Sequence, residues 1–342
     1  MSSDFGDSPL QAPVGEPTEQ PTPTRRPWRC LGIDVGGTKI AAGLLDEGGR
    51  FEELDILPTR RGDGGANLTT LRDLIRAAPA GLSAIGVSVR TLLDPAGALR
   101  DPRGVLGWRG VNLARELSVD GAEVTVSRDV ECGAVAEVQY GAGQGTSDAL
   151  YVTIGTGISH CLVKCGVPLS GAHGAASSGQ APPARCTRQH CVAQSVEQIC
   201  SGPALASEYA GREAQDASDV ITGAEAGESR AVEIISHAGW HLGAYLATLM
   251  LTLDPEIVVI GGGLGTHAST YREIAIGVAR SVGFARLLGE LPIVPASLGD
   301  GSAWIGAAHI AAMRLVDSAE SAESGATRRN QVLRPGPSGE SR

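Results

Sequence analysis

Apolar residues along this chain cluster in short runs broken by glycine, and the runs predict strands and helices in alternation. Arg29 to Val35 and Ile40 to Asp46 read as two strands, joined by Gly36, Gly37 and Thr38, a permissive backbone suited to a tight hairpin. A third strand near Glu53 to Leu57 completes a meander. Leu68, Leu71, Leu74 and Ile75 recur at helical spacing, and Ala84 to Val89 is the continuous apolar run of a strand buried on both faces. Val124 to Ser127 predicts a strand and Val130 to Tyr140 a helix. Ala149 to Gly155 and Ile158 to Lys164 then form a second glycine-linked hairpin, so the opening device recurs in the second half. Ala231 to Leu253 places Val232, Ile235, Ala238, Leu242, Leu246 and Leu249 on one face of a long helix. Ile257 to Ile260 is a buried strand running into Gly261, Gly262 and Gly263, followed by a helix from about Ser269 and a last helix over Ser302 to Leu315. The expected architecture is α/β, in two halves.

The ends lack this patterning. Residues 1–28 hold six prolines among Ser, Thr, Glu and Gln, a solvated tail in composition, and from Asp317 onward polar residues recur without apolar periodicity. The expected organisation is a tail at 1–28, a small N-terminal lobe at 29–128, a large C-terminal lobe at 129–316 and a tail at 317–342. The whole chain has 342 residues, long enough for two substantial cores. With 28 Lys+Arg against 38 Asp+Glu the net charge is −10, which argues against nucleic acid and anionic membranes as partners. No apolar run is long enough to span a bilayer, and Arg25 and Arg26 are followed by Pro27 where an export signal would turn apolar, so a cytoplasmic protein is expected. Seven cysteines, an odd number in a chain of this size, point to reduced thiols.

Candidate chemistry gathers at the glycine turns. Gly36, Gly37 and Thr38 expose amides that could hold phosphate oxygens, with Lys39 adding a cation, although a plain hairpin looks the same. Gly155, Thr156 and Gly157 repeat the device, and two such loops facing each other would clamp a polyphosphate. Asp34, just before the first turn, could hold Mg²⁺ through water. Asp129 follows a strand and opens a helix, which places its carboxylate at the crevice end of a sheet; a helix N-cap is the alternative.

Leu31-Gly-Ile-Asp-Val-Gly-Gly-Thr-Lys-Ile40 resembles the first phosphate motif of the ROK sugar kinases. Leu106-Gly-Trp-Arg-Gly-Val-Asn-Leu113, Tyr151-Val-Thr-Ile-Gly-Thr-Gly-Ile158, Leu169-Ser-Gly-Ala-His-Gly-Ala-Ala176, Val196-Glu-Gln-Ile-Cys-Ser-Gly202 and Pro255-Glu-Ile-Val-Val-Ile-Gly-Gly-Gly263 follow in family order. The resemblance implies an actin-like, hexokinase-type ATPase fold with two α/β lobes around a nucleotide cleft. It implies ATP and Mg²⁺ as cofactors, a sugar as substrate, Asp129 as general base, and Gly261, Gly262 and Gly263 beside the adenosine. A GxGxxG dinucleotide motif is absent.

The sugar side departs from the family pattern. Arg128 stands where an Asn precedes the catalytic Asp, and a neighbouring guanidinium is expected to depress the carboxyl pKa. Glu131 and Arg103 replace amides, and Ser177-Ser-Gly-Gln180 replaces a Gly-Glu-x-Gly-His run. Arg103, Arg128, Glu131, Gln180 and Glu197 are the candidate sugar contacts, with Glu197 the best remaining carboxylate. Of the family's zinc ligands only Cys186, His190 and Cys191 have counterparts, and four tetrahedral ligands are wanted, so structural zinc is not expected. His173 keeps its family place. These features point to an ATP-dependent kinase acting on the 6-hydroxyl of glucose or a glucose-derived amino sugar, with kanosamine the named candidate. The alternative is a weak or inactive member acting as a sugar- or nucleotide-binding regulator. A repressor of the same family is disfavoured, because 28 proline-rich residues leave no room for a winged helix. A homodimer is one option for the assembly.

Overall fold

The computed structural model describes residues 29–332 except 95, 102–103, 119–121, 172–178, 185–192, 211–215 and 283–288, and describes the backbone alone at 210 and 319–332. Its first half runs β1 (Arg29–Val35), β2 (Lys39–Asp46), β3 (Phe51–Pro58), α1 (Gly64–Ala77), β4 (Ala84–Val89), α2 (Leu113–Glu116) and β5 (Glu123–Arg128). There follow α3 (Asp129–Tyr140), β6 (Asp148–Ile154), β7 (Ile158–Lys164), β8 (Val167–Pro168), α4 (Glu197–Cys200), α5 (Gly202–Ala210), α6 (Ala217–Glu225) and α7 (Ser229–Leu253). The chain closes with β9 (Ile257–Gly261), α8 (Gly263–His267), α9 (Ser269–Ser281), β10 (Ile293–Pro295) and α10 (Ser302–Val332).

The two sheets have one topology. In the first the order is β3-β2-β1-β4-β5, with β1–β2 and β2–β3 antiparallel and β1–β4 and β4–β5 parallel. The second, read as β8-β7-β6-β9-β10, repeats those directions strand for strand. β4, between β1 and β5, is buried along its whole length, which accounts for its largely apolar run. One core lies with α1 against the first sheet; another lies between the second sheet and α4–α7 and α9; α3 and α10 pack together between them.

Register aligns the chemistry. Val35 pairs with Val89 and Val89 with Arg128, so Gly36, Arg90 and Asp129 follow one another across the carboxyl edge of three parallel strands. That edge is where open α/β sheets bind ligands.

Three local expectations are corrected. The last helix does not stop at Leu315, and no tail begins at Asp317: α10 continues to Val332 through a segment rich in Ala, Glu and Arg, good helix formers with no proline among them. The helix packs on β1, β4 and α3, and Ala307 and Ile310 join a core with β6, β7 and β9, so α10 touches both halves. Its backbone comes so close that a Cβ on Gly32 would lie 2.0 Å from the Trp304 carbonyl oxygen, and one on Gly86 would lie 1.9 Å from that of Ala307. On α7, Val232 is solvent-exposed and the buried stripe runs through Ala231, Ile234, Ile235, Ala238 and Leu242, because the helix is rotated to face α9 and the sheet.

Candidate active site

The first turn is closed by the Gly36 amide donating to the Lys39 carbonyl at 2.9 Å. Thr59 braces it, its hydroxyl donating to the Gly36 carbonyl at 2.8 Å and its amide to that of Thr38 at 3.0 Å. Thr38 is exposed at the tip. The Lys39 ammonium, expected to face phosphate, bonds Asp300 instead, at 2.5 Å. The second turn closes in the same way, Gly155 amide to Gly157 carbonyl at 3.0 Å, with Thr156 exposed. Glu197 holds it, accepting from the Ile158 amide at 3.0 Å, and the Gly202 amide donates to the Gly155 carbonyl at 2.8 Å.

The third glycine segment meets the second turn. A Cβ on Gly155 would lie 3.8 Å from the Gly263 amide nitrogen. Gly262 has φ +77° and a Cβ there would meet the Ile154 carbonyl oxygen at 2.5 Å, so only glycine allows β9 to enter α8 at this point. Among the described residues nothing lies within 4 Å of the Gly263 Cβ position, which leaves space beside the backbone there.

Two carboxylates stand at the edge of the first sheet. Asp34 accepts from the Ser88 hydroxyl at 2.7 Å, and burial lifts its pKa from 3.8 to about 7, with Asp129 adding to the rise and Lys39 and Arg90 opposing it. Asp129 is the first residue of α3, with Arg128 at the N-cap, and its carboxylate accepts from the Val130 amide at 2.8 Å. The expectation that Arg128 depresses the Asp129 pKa is overturned. Burial raises it, outweighing the Val130 hydrogen bond and the pull of Arg90 and Arg128. A raised pKa makes the carboxylate a stronger base, which suits proton abstraction.

Replacing the Asp34 charge has a stability consequence. A carboxyl with a raised pKa in the folded state binds its proton more tightly folded than unfolded, so stability falls as pH rises from about 4 to about 7. Asp34→Asn removes that loss while keeping an acceptor for Ser88. Urea unfolding in EDTA at pH 7.5 should show a gain of about 1–3 kcal/mol, shrinking toward zero near pH 4; an equal gain at both pH values would contradict the electrostatic cause.

On the sugar side, Gln180 donates to Glu197 at 2.9 Å, so two candidate contacts meet at the second turn. Glu131 is buried, one carboxylate oxygen accepting from the Arg128 amide at 3.3 Å and the other having no hydrogen-bond partner among the described residues. Asp101 accepts from the amides of Val105, Leu106, Gly107 and Trp108, and so anchors the loop that follows Arg103. Arg103, His173, Cys186, His190 and Cys191 lie outside the described residues. Among the described residues no group of three or more His, Cys, Asp or Glu could hold a metal, and Cys30, Cys132, Cys161, Cys165 and Cys200 are free thiols. No described helix is long and apolar enough to cross a membrane.

Sequence reasoning missed Arg90. Its guanidinium sits between the two turns: a Cβ on Gly37 would lie 3.5 Å from one terminal nitrogen, and one on Gly157 would lie 3.6 Å from the other. The available signal was position, since the residue after a fully buried parallel strand emerges at the ligand edge.

The ROK family model matches residues 30–314. The chain belongs to the ROK family. A glucokinase from Halalkalibacterium halodurans is 28% identical over 270 residues, covering 70% of this chain and 82% of that one. An N-acetylmannosamine kinase from Shigella boydii serotype 18 is 30% identical over 251 residues, covering 69% of this chain and 83% of the relative. A Streptomyces griseus ROK glucokinase, solved with glucose and AMPPNP, superposes with a TM-score of 0.63 at 26% identity, covering 83% of this ROK protein and 99% of the other. The fold of this ROK protein is therefore the actin-like, hexokinase type, two mixed sheets with helices.

Proposed function

We propose that this ROK protein is an ATP-dependent hexose kinase that transfers the γ-phosphoryl group to the 6-hydroxyl of glucose or a glucose-derived sugar. The observation that carries the reading is the alignment of Asp129 with the first glycine turn on one sheet edge, its carboxylate set up as a strong base. The glycine cradle at Gly262 and Gly263 and the amides of both turns suit a nucleotide polyphosphate, and the half-buried Asp34 carboxylate suits a divalent cation held through water. Mg²⁺, when bound, would offset charge on the phosphates.

Asp129 takes the proton from the sugar 6-hydroxyl as its oxygen bonds the γ-phosphorus, and the bond from that phosphorus to the bridging oxygen breaks to leave ADP. Gly36, Gly37, Thr38, Gly155, Thr156 and Gly157 orient the phosphates, so that little covalent chemistry is asked of the protein. Gln180 and Glu197 face the sugar from the second turn, with Arg128 and Glu131 on the other side, and Arg103 also stands in the sequence where the family has an amide. Altered hydroxyl readers beside kept phosphate motifs favour a sugar other than plain glucose. Kanosamine draws no support from the relatives, one of which is named for glucose and one for N-acetylmannosamine.

ADP release in Mg-ATP with glucose, glucosamine, N-acetylmannosamine and kanosamine tests the reading. At least one sugar should be turned over, and glucose should not lead the others in kcat/KM by tenfold, a margin of about 1.4 kcal/mol. Silence with all four, with sugar or nucleotide still bound, would move the assignment to a regulatory binder.

A further inference from the structure

Arg90 emerges from the end of β4 into solvent, with its two terminal nitrogens beside Gly37 of the first turn and Gly157 of the second. Strand register sets it between Gly36 and Asp129 on the ligand edge. Its charge reaches both Asp34 and Asp129. Of the other cations, Lys39 acts on Asp34 but has its ammonium bonded to Asp300, and Arg128 acts on Asp129. Among the described residues the guanidinium makes no hydrogen bond or ion pair of its own, so its donors are available to a ligand. A phosphoryl group entering between the turns would bring negative charge against two carboxylates, and Arg90 is the cation standing at that point.

We propose that Arg90 is a catalytic residue that grips the γ-phosphoryl group of the nucleotide from between the two glycine turns. The proposal rests on the kinase reading of the site. A planar guanidinium offers paired donors to the non-bridging oxygens, where charge spreads as the phosphoryl group moves. The sugar oxygen bonds the γ-phosphorus, the bond to the bridging oxygen breaks, the proton goes to Asp129, and Arg90 keeps its own protons throughout. Because the contact is with the γ-group alone, the residue should distinguish a triphosphate from a diphosphate.

Calorimetric titration of wild type, Arg90→Ala and Arg90→Lys with Mg-AMPPNP and with ADP tests this directly. Arg90→Ala should weaken AMPPNP at least about tenfold while ADP shifts less than about twofold, with Arg90→Lys in between, since an ammonium keeps charge but loses the fork. With the sugar that wild type turns over best, kcat of Arg90→Ala should drop at least about 10²-fold with little change in the sugar KM. Equal weakening of both nucleotides would mark a structural role, and unchanged or tighter AMPPNP would mean that Arg90 fills the site instead of serving it; either overturns the proposal. The thermal midpoint checks folding, and Arg90→Gln, which removes the charge and keeps a polar side chain, substitutes if the alanine variant does not fold. The nucleotide arms need no sugar turnover, so this proposal and the kinase assignment fail separately.

Discussion

Asp129→Asn should lower kcat at least about 10²-fold while leaving nucleotide affinity and the thermal midpoint near wild type, the scale expected for loss of a general base. The amide keeps the shape of the carboxylate and an oxygen that can accept from the Val130 amide at 2.8 Å, so α3 should start as it does now. Helix capping does not depend on this side chain, because Arg128 occupies the N-cap. The change removes the capacity to take a proton, and nothing nearby replaces it. Asp34 accepts from Ser88, and Glu131 is buried with one oxygen on the Arg128 amide. Burial also holds the Asp129 pKa above the ordinary carboxylate value, so wild-type kcat should fall on the acid side at a pH above that usual for an aspartate, and the variant's residual rate should lack that limb. Near-normal turnover in Asp129→Asn would remove this residue from the chemistry.

Gly86→Ala should cost at least about 3 kcal/mol and lower the thermal midpoint by about 6 °C or more, although it adds only a methyl group far from any loop. The methyl carbon would sit 1.9 Å from the Ala307 carbonyl oxygen and 2.3 Å from its carbon, backbone atoms in the second turn of α10. No side-chain rotation relieves such a contact; the helix itself must lift from the sheet. Gly32, on neighbouring β1, faces the Trp304 carbonyl at 2.0 Å, so the helix is held close at two adjacent strands and cannot tilt away from one alone. Gly277→Ala is the control, since its Cβ position on α9 meets nothing within 4 Å among the described residues. There, alanine's better helix propensity should raise stability by about 0.5–1 kcal/mol. A Gly86→Ala protein as stable as wild type would mean that α10 does not pack where it is placed.

Gly32 also changes the meaning of a motif. It lies within the opening Leu31-Gly-Ile-Asp run that resembles a phosphate signature, yet its lack of a side chain serves the approach of α10, whereas Gly36 and Gly37 form the turn. Residues adjacent in one motif thus answer to two different constraints, and only the packing partner separates them.

Local pattern determined much of this protein. The bounds of β4 follow from a short, mostly apolar run, and both hairpins, β7 included, follow from glycines placed between strand-like runs. Asp129 was visible as a carboxylate at a strand-to-helix junction, because strand and helix periodicities meet there. Such signals survive in sequence because each depends on residues a few positions apart. What depends on distant residues did not. Lys39 bonds Asp300, 261 positions away, and so turns from the expected phosphate role. Arg128 adjoins Asp129, and adjacency alone implied a lowered pKa; burial by the assembled fold reversed the sign. Val232 satisfied a helical period but not the rotation that α9 and the sheet impose on α7. Arg90 carried no local motif at all. Parallel register, set by packing between β1, β4 and β5, put it between the turns, and that register is a property of three strands together.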